Sequence, residues 1–480
     1  MKLIGLRLCE HDSNVSYYDG ETVRYFKSER VYDVKHHGYS DLHFWKKDFK
    51  DIFGDDPEDA DEIAIVIDPW VHGLPTDNEE FFPAIKYPAV SDNCWRVNHH
   101  YAHVLSTFKE KGLHIVIDGF GDENNSWSVF RNGEVVDRGY CDADGSIGCE
   151  MIKAGKLLNI KAGCDLDIAG KLMGLQSYGT YMDEYARILP RTMHNIRRIF
   201  EESRYKAFER DMFGTLGISK LNWIRTVHEH MGNVLLDFFN EYIYHDEDVI
   251  SYTGGCAQNV IWNTKLKKKY RNLSIPPHCA DEGLSLGALE FLRRKNNIDP
   301  FVVEYHQQDI AAETKPSDMT LAKVAHALAE GKIVGWYQGH GEIGPRALGN
   351  RSILMNPYID DAKKKINMIK KREGYRPFGA SILEGYQKRI LDTDIQNPHM
   401  LYVGDIAAPG LESITHVDGT CRYQTVTQEN ESYYKLLQVL EFPILLNTSM
   451  NLAGKPIMSK PENFPKGLDM VVVGNDISVL

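Results

Sequence analysis

Long apolar runs are missing from this sequence of 480 residues. A membrane-spanning helix needs about 18 or more consecutive apolar residues, and no stretch approaches that length. The first residues also lack the extended apolar core and the small-residue cleavage site of a signal peptide. Eight cysteines are present without a Cys-x-x-Cys pair, which favours reduced thiols. We therefore expect a cytoplasmic protein with no membrane partner.

A basic excess is also missing, because the formal net charge is -13. This charge argues against long, non-specific contacts with a phosphate backbone, although a local basic pocket remains compatible with it. No repeat of solenoid period and no low-complexity tract is present. The hydrophobic fraction of 42% is typical of globular proteins, and the length suggests about three domain-sized units.

Strand-turn-strand patterns occur twice in the first third of the chain. One is built around the turn Asp19-Gly20 and the other around Asn132-Gly133. In each unit an Asp or His stands at the end of a strand. This combination predicts a mixed α/β domain with a polar crevice.

The pattern changes further along the chain. Residues 165–250 show helical periodicity, for example over 194–213, and 248–259 return to a strand followed by a glycine turn. Residues 298–318 are typical of a linker. A helix and a strand over 320–339 then predict the start of a new unit.

Two histidines at helical spacing are the first candidate site. In "NHHYAHVLSTF", His99 and His103 would lie on one face of a helix, one turn apart, as two imidazole ligands of one metal do. An isolated pair is more often a partly buried pair of helix histidines. Asp118 at a strand end and Asp281 before a small-residue helix complete a set suited to Fe, Mn or Zn.

Loops near strand ends supply the next candidates. His11 in "CEHDSN" is a candidate base for an alcohol proton, with a satisfied loop histidine as the alternative. Gly254 and Gly255 in "TGGCAQN" allow close approach of backbone amides to a ligand. Asn259 either caps the following helix or contacts a ribose.

The segment "GHGEIGPRALGNRSILMNP" (339–357) combines backbone freedom with fixed positive charge. We expect Pro345 to open a helix whose amides face an anion. Arg346 and Arg351 would add forked donors for phosphate or carboxylate oxygens. This segment predicts a phosphate-binding pocket.

Basic and polar residues downstream are candidates for the same pocket. Lys370, Arg372 and Arg376 fall at the end of a helix whose inward residues include Ile366. The strand in "LLNTSMNLAGKPI" (445–457) ends in polar residues, for which turn formation is the alternative role. Together these residues favour a pocket for a triphosphate or an acyl phosphate. The polar residues are Asn447, Thr448, Ser449 and Asn451.

With these motifs in order, the chain resembles the NodU/CmcH family of O-carbamoyltransferases essentially from end to end. The resemblance rests on "CEHDSN", "SERVYDVKHHG", "NHHYAH", "DGFGDENNSW", "AGKLMGLQSYG", "GGCAQN", "DEGLSLGAL", "GEIGPRALGNRSIL", "KKREGYRPF" and "NTSMNLAGKPI". The chain departs from the family at His340, Gly341 and Met450, where the family usually has a basic residue, Met and Phe.

The resemblance implies an α/β fold with a two-lobed ASKHA-type (actin/Hsp70-like) domain over 1–300. Its lobes would be about 1–165 and 166–300. A linker over 301–318 and a YrdC-like α/β domain over 319–480 would follow.

The resemblance also implies roles for individual residues. His11 would be the base, and His99, His103, Asp118 and Asp281 would be the metal ligands. The adenylate in the N-terminal domain would be bound by Lys171, Gly174, Gly254, Gly255 and Asn259. Carbamoyl phosphate and ATP in the C-terminal domain would be bound by Arg346, Arg351, Lys370, Arg372, Arg376, Asn447, Ser449 and Asn451.

The implied reaction forms carbamoyl-adenylate from ATP and carbamoyl phosphate and transfers the carbamoyl group to a hydroxyl of a small molecule, a sugar or a hydroxymethylated nucleobase. Fe2+ is the favoured metal, with Mn2+ or Zn2+ as alternatives, and Mg2+ would accompany ATP. Nucleic acid would take part only as an acceptor, and a homodimer is expected. Threonylcarbamoyl-type transfer to a nucleic-acid amine and a non-catalytic ATP-binding sensor remain as alternatives.

Overall fold

Three β-sheets organise the part of the chain that the structure describes, and the α/β prediction is confirmed. The computed structural model describes residues 1–68, 81–88, 90–196, 217–244 and 249–480, and the backbone of 197–200. The first sheet contains β1 (Leu3–Leu8), β2 (Asn14–Tyr18), β3 (Val23–Lys27), β4 (Glu62–Ile67), β5 (Ala84–Lys86) and β6 (Cys94–Val97), in the order β3-β2-β1-β4-β6-β5.

The second sheet has five strands. These are β7 (Leu113–Ile117), β8 (Asn125–Arg131), β9 (Glu134–Tyr140), β10 (Ile250–Thr253) and β11 (Leu273–Ser274), in the order β11-β10-β7-β8-β9. Both sheets share one plan, in which an antiparallel three-strand meander pairs through its first strand with two further parallel strands. The two sheets therefore repeat one topology.

The third sheet belongs to the C-terminal part. Its strands are β12 (Val334–Tyr337), β13 (Arg351–Met355), β14 (Gly379–Leu383), β15 (Tyr402–Asp405), β16 (Thr420–Val426), β17 (Ile444–Ser449), β18 (Met470–Val473) and β19 (Asp476–Val479). Their order is β15-β16-β14-β17-β13-β12-β18-β19, a mixed sheet with parallel and antiparallel neighbours.

Helices cover these sheets. They are α1 (Ser28–Tyr32), α2 (Trp45–Phe53), α3 (His99–Leu105), α4 (Ile147–Leu157), α5 (Leu166–Leu175), α6 (Asp183–Ala186), α7 (Lys220–Tyr242), α8 (Val260–Lys269), α9 (Leu284–Lys295), α10 (Asp318–Ala329), α11 (Ala362–Lys370), α12 (Gln387–Leu391) and α13 (Glu431–Val439). Within the described residues, no helix combines the length and the apolar composition that crossing a bilayer requires.

The plan of the two sheets explains where the polar residues meet. Parallel strands β1 and β4 end at one sheet edge, and β7 and β10 end at the corresponding edge of the other sheet. His11 follows β1, Asp118 follows β7, and Gly254 follows β10. Ligands in open α/β sheets bind beyond the carboxyl ends of the strands, so the crevice predicted from sequence lies where the two edges face each other.

Local predictions are confirmed at both hairpins, at the helix of His99 and His103, and at the helix that ends with Lys370. The strands at 113–140 pair with those at 250–274, so the second sheet begins well before the predicted lobe boundary near 165. Of the helix predicted over 194–213, residues 201–213 lie outside the described residues.

The C-terminal part packs directly on the first lobe through Arg30 of α1. The Arg30 guanidinium is buried and donates to the carbonyl oxygens of Ile457 at 3.2 Å and Gly344 at 3.1 Å. A Cβ on Gly344 would lie 2.3 Å from the carbonyl oxygen of Pro277, so this approach requires glycine. The glycine-arginine segment is therefore held against the N-terminal part.

We predict that Arg30→Ala destabilises the protein by about 2–4 kcal/mol, because two buried carbonyl groups lose their donor. The free energy of unfolding from urea denaturation measures this. The control is Lys388→Ala, which removes a solvent-exposed ion pair with Asp392 and should leave the midpoint unchanged. Equal midpoints for Arg30→Ala and the wild type would contradict the role of Arg30.

Candidate functional site

Four buried side chains converge in the crevice between the first two sheets. His99 and His103 come from α3, Asp118 follows β7, and Asp281 precedes α9. One ligand atom from each lies within 4.8 Å of all the others. The Nε2 of His103 is 3.0 Å from Asp118 Oδ2, and the Nε2 of His99 is 3.6 Å from Asp281 Oδ1. The predicted set is therefore assembled in space.

Neighbouring residues fix this arrangement. The Asp122 carboxylate accepts the backbone N–H of His99 at 2.7 Å, and the Asn98 side chain caps α3. Arg7, which is almost completely buried, donates to Asp281 Oδ2 at 3.0 Å and to Asp68 Oδ2 at 3.0 Å. Because Arg7 engages Oδ2 of Asp281, the oxygen Oδ1 is left facing the histidines.

The electrostatics of these four residues suit a divalent cation. Burial opposes ionisation, but His99 and Arg7 hold the pKa of Asp281 well below its ordinary value. Burial likewise lowers the pKa of His99, yet the carboxylate of Asp281 outweighs it and raises the pKa to about 10. Within the described residues, Nε2 of His99 is buried without a hydrogen-bond partner. A cation would replace the proton that these carboxylates otherwise hold on an imidazole.

His11 lies on the loop after β1, at the edge of the same crevice. Asn14 ties this loop to the metal-site loop, since its Nδ2 donates to the carbonyl oxygens of Asp12 at 2.7 Å and Asp281 at 3.0 Å. The side chain of His11 is 35% exposed, and its Nδ1 is 3.2 Å from Asp12 Oδ2. Burial would lower the pKa of His11, but the hydrogen bond to Asp12 raises it.

A second group of possible ligands, formed by Asp12, Glu29 and His36, also lies within 4.8 Å. The ammonium group of Lys27 lies between its carboxylates, 2.9 Å from Asp12 Oδ1 and 3.3 Å from Glu29 Oε1. Lys27 therefore supplies the positive charge that a metal ion would supply elsewhere.

The predicted glycine turn lies beside the metal ligands. Gly254 has φ +95°, and a Cβ there would clash with Ile117 O at 2.2 Å. At Gly255 a Cβ would lie 2.9 Å from Asp118 Oδ1. Asn259 caps α8 through the amides of residues 261 and 262, and it also contacts His228 at 2.9 Å. These contacts are those of a helix cap, which is one of the two roles expected for Asn259.

Two predicted adenylate residues lie at the boundary with the C-terminal part. Lys171 on α5 donates to Glu373 Oε1 at 2.6 Å and to the carbonyl oxygen of Lys161 at 2.7 Å. A Cβ on Gly174 would contact Pro377 Cδ at 3.7 Å. A ligand that engages the Lys171 ammonium must therefore compete with Glu373.

A cluster of basic side chains forms the second site, in the C-terminal part. Its members are Arg346, Lys370, Arg372, Arg376 and Arg422, and we call it the basic cluster. Burial, followed by the charges of Arg372 and Arg376, lowers the pKa of Lys370 well below its ordinary value. Burial and Arg376 lower the pKa of Arg372 to about 9. Such mutual repulsion is relieved by a bound polyanion.

Ser449 and Asn451 contribute polar contacts to the basic cluster. The Nζ of Lys370 is 3.1 Å from Ser449 Oγ and also contacts Asn451 Oδ1. Asn447 has a different task, because its Nδ2 donates to the carbonyl oxygen of Ala347 at 3.0 Å and holds the glycine-arginine segment in place. Ser449 and Asn451 thus lie with Lys370, whereas Asn447 lies behind the segment.

Arg422 was not singled out from the sequence. It lies on β16, and the charges of Arg346 and Arg372, together with burial, lower its pKa well below the ordinary value. The Nε atoms of Arg422 and Arg346 are buried and have no partner within the described residues. The sequence feature that points to Arg422 is its position as a single arginine inside the otherwise largely buried strand "TCRYQTV".

Arg351 is not brought to the basic cluster, contrary to the sequence-based expectation. Its guanidinium is fully buried, donates to both carboxylate oxygens of Asp309 at 3.0 Å, and lies 3.5 Å from the ring centre of Tyr337. Asp309 also accepts the backbone N–H of Gly341 at 3.0 Å. Arg351 therefore anchors the linker rather than an anion.

The helix expected at Pro345 is absent, since residues 343–350 form an irregular loop in the structure. The reason is Glu342, whose Oε1 accepts the backbone N–H groups of Leu348 at 2.6 Å and Asn350 at 2.8 Å. These contacts replace the bonds that a helix would make. Arg346 is thus presented by a loop folded around a buried carboxylate.

The chain is similar to carbamoyltransferases in sequence. The family model described as "Carbamoyltransferase N-terminus" matches residues 92–289, and "Carbamoyltransferase C-terminus" matches residues 325–477. The 3'-hydroxymethylcephem-O-carbamoyltransferase of Streptomyces clavuligerus is 31% identical over 62% of this chain and 60% of that relative. Nodulation protein NolNO of Sinorhizobium fredii is 28% identical over 79% of this chain and 63% of that relative. The chain thus spans less than two thirds of the length of either protein.

Similarity to solved structures is weaker. The (R)-2-hydroxyglutaryl-CoA dehydratase component A of Acidaminococcus fermentans aligns with 62% of this chain and 99% of that chain, at 14% identity and a TM-score of 0.41. A Sua5 variant of P. abyssi aligns with 35% of this chain and 52% of that chain, at 18% identity and a TM-score of 0.28.

We predict that His103→Ala weakens Fe2+ and Mn2+ binding by more than about 100-fold, since even residues behind metal ligands affect affinity by 10–100-fold. Anaerobic titration calorimetry measures the affinity. His100→Gln is the matched control, because His100 bonds Ser128 at 2.8 Å outside the four-residue site and should leave metal affinity unchanged. Undiminished affinity in His103→Ala would refute the ligand assignment.

We predict that Arg422→Met weakens binding of inorganic pyrophosphate by about 10–100-fold, the value of a hydrogen bond to a charged group. The unliganded variant should melt at the wild-type temperature or above it, because repulsion in the basic cluster falls. Calorimetric titration and thermal melting with and without pyrophosphate test both statements. The exposed Arg389→Met serves as the matched control. Unchanged pyrophosphate affinity in Arg422→Met would remove Arg422 from the site.

Proposed function

We propose that this chain, which belongs to the carbamoyltransferase family, is an enzyme that uses ATP and carbamoyl phosphate to carbamoylate a hydroxyl group. One observation carries the proposal: a His/Asp set with the geometry of a metal site and a cluster of five basic side chains coexist in one chain. The basic cluster suits activation of the carbamoyl group, and the crevice suits its transfer.

Activation is assigned to the basic cluster. With one water consumed, ATP and carbamoyl phosphate would give carbamoyl-adenylate, phosphate and pyrophosphate. All these species are anions, and the guanidinium groups of Arg346 and Arg422 have buried N–H groups available for their oxygens. Lys370 would bind phosphate oxygen in exchange for its present contacts with Ser449 and Asn451.

Transfer is assigned to the crevice. His11 would accept the proton of the acceptor hydroxyl, whose oxygen attacks the carbamoyl carbon while AMP leaves. His99, His103, Asp118 and Asp281 would hold a divalent metal, for which Fe2+ is favoured, and such an ion neutralises charge on the leaving phosphate.

The two sites adjoin through the segment that contains Asp281. Its neighbour Glu282 is buried, and Gly344, two residues before Arg346 of the basic cluster, packs against Pro277, since a Cβ on Gly344 would lie 2.3 Å from the Pro277 carbonyl oxygen. Burial raises the pKa of Glu282 to about 7. A reactive mixed anhydride made at one site would therefore have a short distance to travel to the other, which would limit its hydrolysis.

The alternative activities require different substrates and different site residues. Threonylcarbamoyl transfer to a nucleic-acid amine would require threonine and bicarbonate, and the net charge of -13 disfavours a polymeric acceptor. An ATP-binding sensor would have no use for four convergent metal ligands. The carbamoyl donor therefore separates the candidates.

The test supplies purified, Fe2+-loaded protein with ATP, Mg2+ and labelled carbamoyl phosphate. We expect AMP and pyrophosphate to form only when carbamoyl phosphate is present. Threonine and bicarbonate should not replace it. No nucleotide consumption by metal-loaded protein would refute the proposal.

The acceptor is sought by offering alcohols to the same mixture and detecting carbamate esters by mass spectrometry. The panel includes a 3'-hydroxymethylcephem, aminoglycosides, oligosaccharides and hydroxymethylpyrimidine nucleotides. His11→Ala should still consume ATP with carbamoyl phosphate but lose about 10²–10⁴-fold in ester formation. Full ester formation by this variant would exclude His11 as the base.

A further inference from the structure

The segment "SERVYDVKHHG" (28–38) has no role in the activity proposed above, yet it lies against the loop of His11. The backbone N–H of Ser28 donates to Ser13 O at 2.9 Å, and that of Ser13 donates to His37 O at 3.1 Å. A Cβ on Gly38 would lie 2.1 Å from the carbonyl oxygen of Cys9. The segment and the His11 loop therefore form one rigid layer.

Asp12 is where this layer meets His11. Its Oδ2 is 3.2 Å from Nδ1 of His11 and 2.8 Å from Nδ1 of His36, and its Oδ1 is 2.9 Å from Nζ of Lys27. Asp12 has φ +54°, an uncommon conformation for a residue other than glycine. A buried carboxylate with three partners and a strained backbone is typical of a functional position.

We propose that Asp12 is a positioning residue that fixes the tautomer and orientation of His11, and that His36 is a fixed cation that keeps Asp12 ionised. This inference rests on the proposed function of the crevice. It assigns a role to the segment 28–38.

The tautomer follows from the chemistry of the carboxylate. An ionised carboxylate can only accept hydrogen bonds, so Nδ1 of His11 must carry the proton that points at Asp12. The other ring nitrogen, Nε2, then has a free lone pair. The contact with Asp12 engages Nδ1 alone, which leaves Nε2 for the hydroxyl proton of the acceptor.

Asp12 itself does not take the proton. Although burial opposes it, Lys27, His11 and His36 hold the pKa of Asp12 well below its ordinary value. Burial also opposes charge on His36, but the hydrogen bond to Asp12 and the nearby carboxylate of Asp167 raise its pKa to about 10. His36 is therefore an imidazolium at neutral pH and cannot be the base, which leaves that role to His11.

His36 also connects the base to the second lobe. Its Nε2 is 3.7 Å from Asp167 Oδ1 on α5, and Lys35 contacts the same carboxylate oxygen. The same helix carries Lys171, which faces the C-terminal part. The orientation of His11 thus depends on the packing of α5 against the first lobe.

The kinetic test compares Asp12→Asn with the matched control Asp55→Asn, which removes ion pairs with Lys2 and Arg24 away from the crevice. With an acceptor from the alcohol panel, Asp12→Asn should lower kcat for ester formation by about 10²–10⁴-fold. KM should change little, and Asp55→Asn should keep the wild-type kcat. In a His11→Ala background, Asp12→Asn should add less than about threefold.

The pH profile separates positioning from simple structural support. The groups facing His11 are Asp12, Asp281 and Arg7, and loss of the Asp12 charge must lower the pKa of His11. The acidic limb of kcat, where His11 becomes protonated, should therefore shift to lower pH in Asp12→Asn. A limb at the wild-type pH, or full additivity with His11→Ala, would overturn the proposal.

A measurement independent of activity reads the tautomer directly. In ring-¹⁵N-histidine protein, NMR should show Nδ1 of His11 protonated above its pKa and His36 doubly protonated at neutral pH. His11→Asn and His36→Asn assign the two signals, and Asp12→Asn should shift His11 toward a mixture of tautomers. Retained Fe2+ affinity of Asp12→Asn verifies its fold. An Nε2-protonated His11 or a neutral His36 in the wild type would overturn the proposal even if carbamoyl transfer is demonstrated.

Discussion

Concentrated positive charge in the C-terminal part is the constraint on which the rest of this structure depends. Burial and the charges of Arg372 and Arg376 lower the pKa of Lys370, and burial and the charges of Arg346, Arg372 and Arg376 lower the pKa of Arg422. The surrounding fold must supply the stability that this repulsion costs. The eight-stranded sheet and the Glu342-centred loop do so by fixing the backbone that carries these side chains.

The N-terminal crevice concentrates negative rather than positive charge, and neighbouring side chains compensate it. Asp281 and Asp118 are buried next to each other, and Arg7 and the two histidines keep them ionised. At its edge Asp12 is paired with Lys27 and is therefore satisfied. The crevice thus contains one carboxylate pair suited to a cation and one carboxylate that is already neutralised by Lys27. This difference distinguishes the proposed metal site from the proposed positioning site, although both contain the same residue types.

The sequence predicted the features whose causes are local. His99 and His103 share a helix face because they are four residues apart, and Asp118 was identified by its place directly after a strand. Arg422 and Arg351 depend instead on partners distant in the chain. Arg422 joins the basic cluster because β16 pairs with β14, and Arg351 is drawn away by Asp309 from the linker. No local pattern encodes such pairings. The expected helix at Pro345 is absent for a local reason, since the side chain of Glu342 accepts the backbone N–H groups of Leu348 and Asn350.

Charge balance also implies an order in which ligands would bind in the crevice. Without a metal ion, the two carboxylates are compensated by a proton on His99 and by Arg7. The phosphate of an adenylate would then meet two ionised carboxylates and be repelled. In the proposed reaction, a divalent cation would displace the proton and reverse the sign of the local charge. A metal ion would then have to occupy the crevice before an adenylate could bind there, whereas the basic cluster would attract the anion without one. This difference in charge would favour movement of the anion from the basic cluster to the crevice.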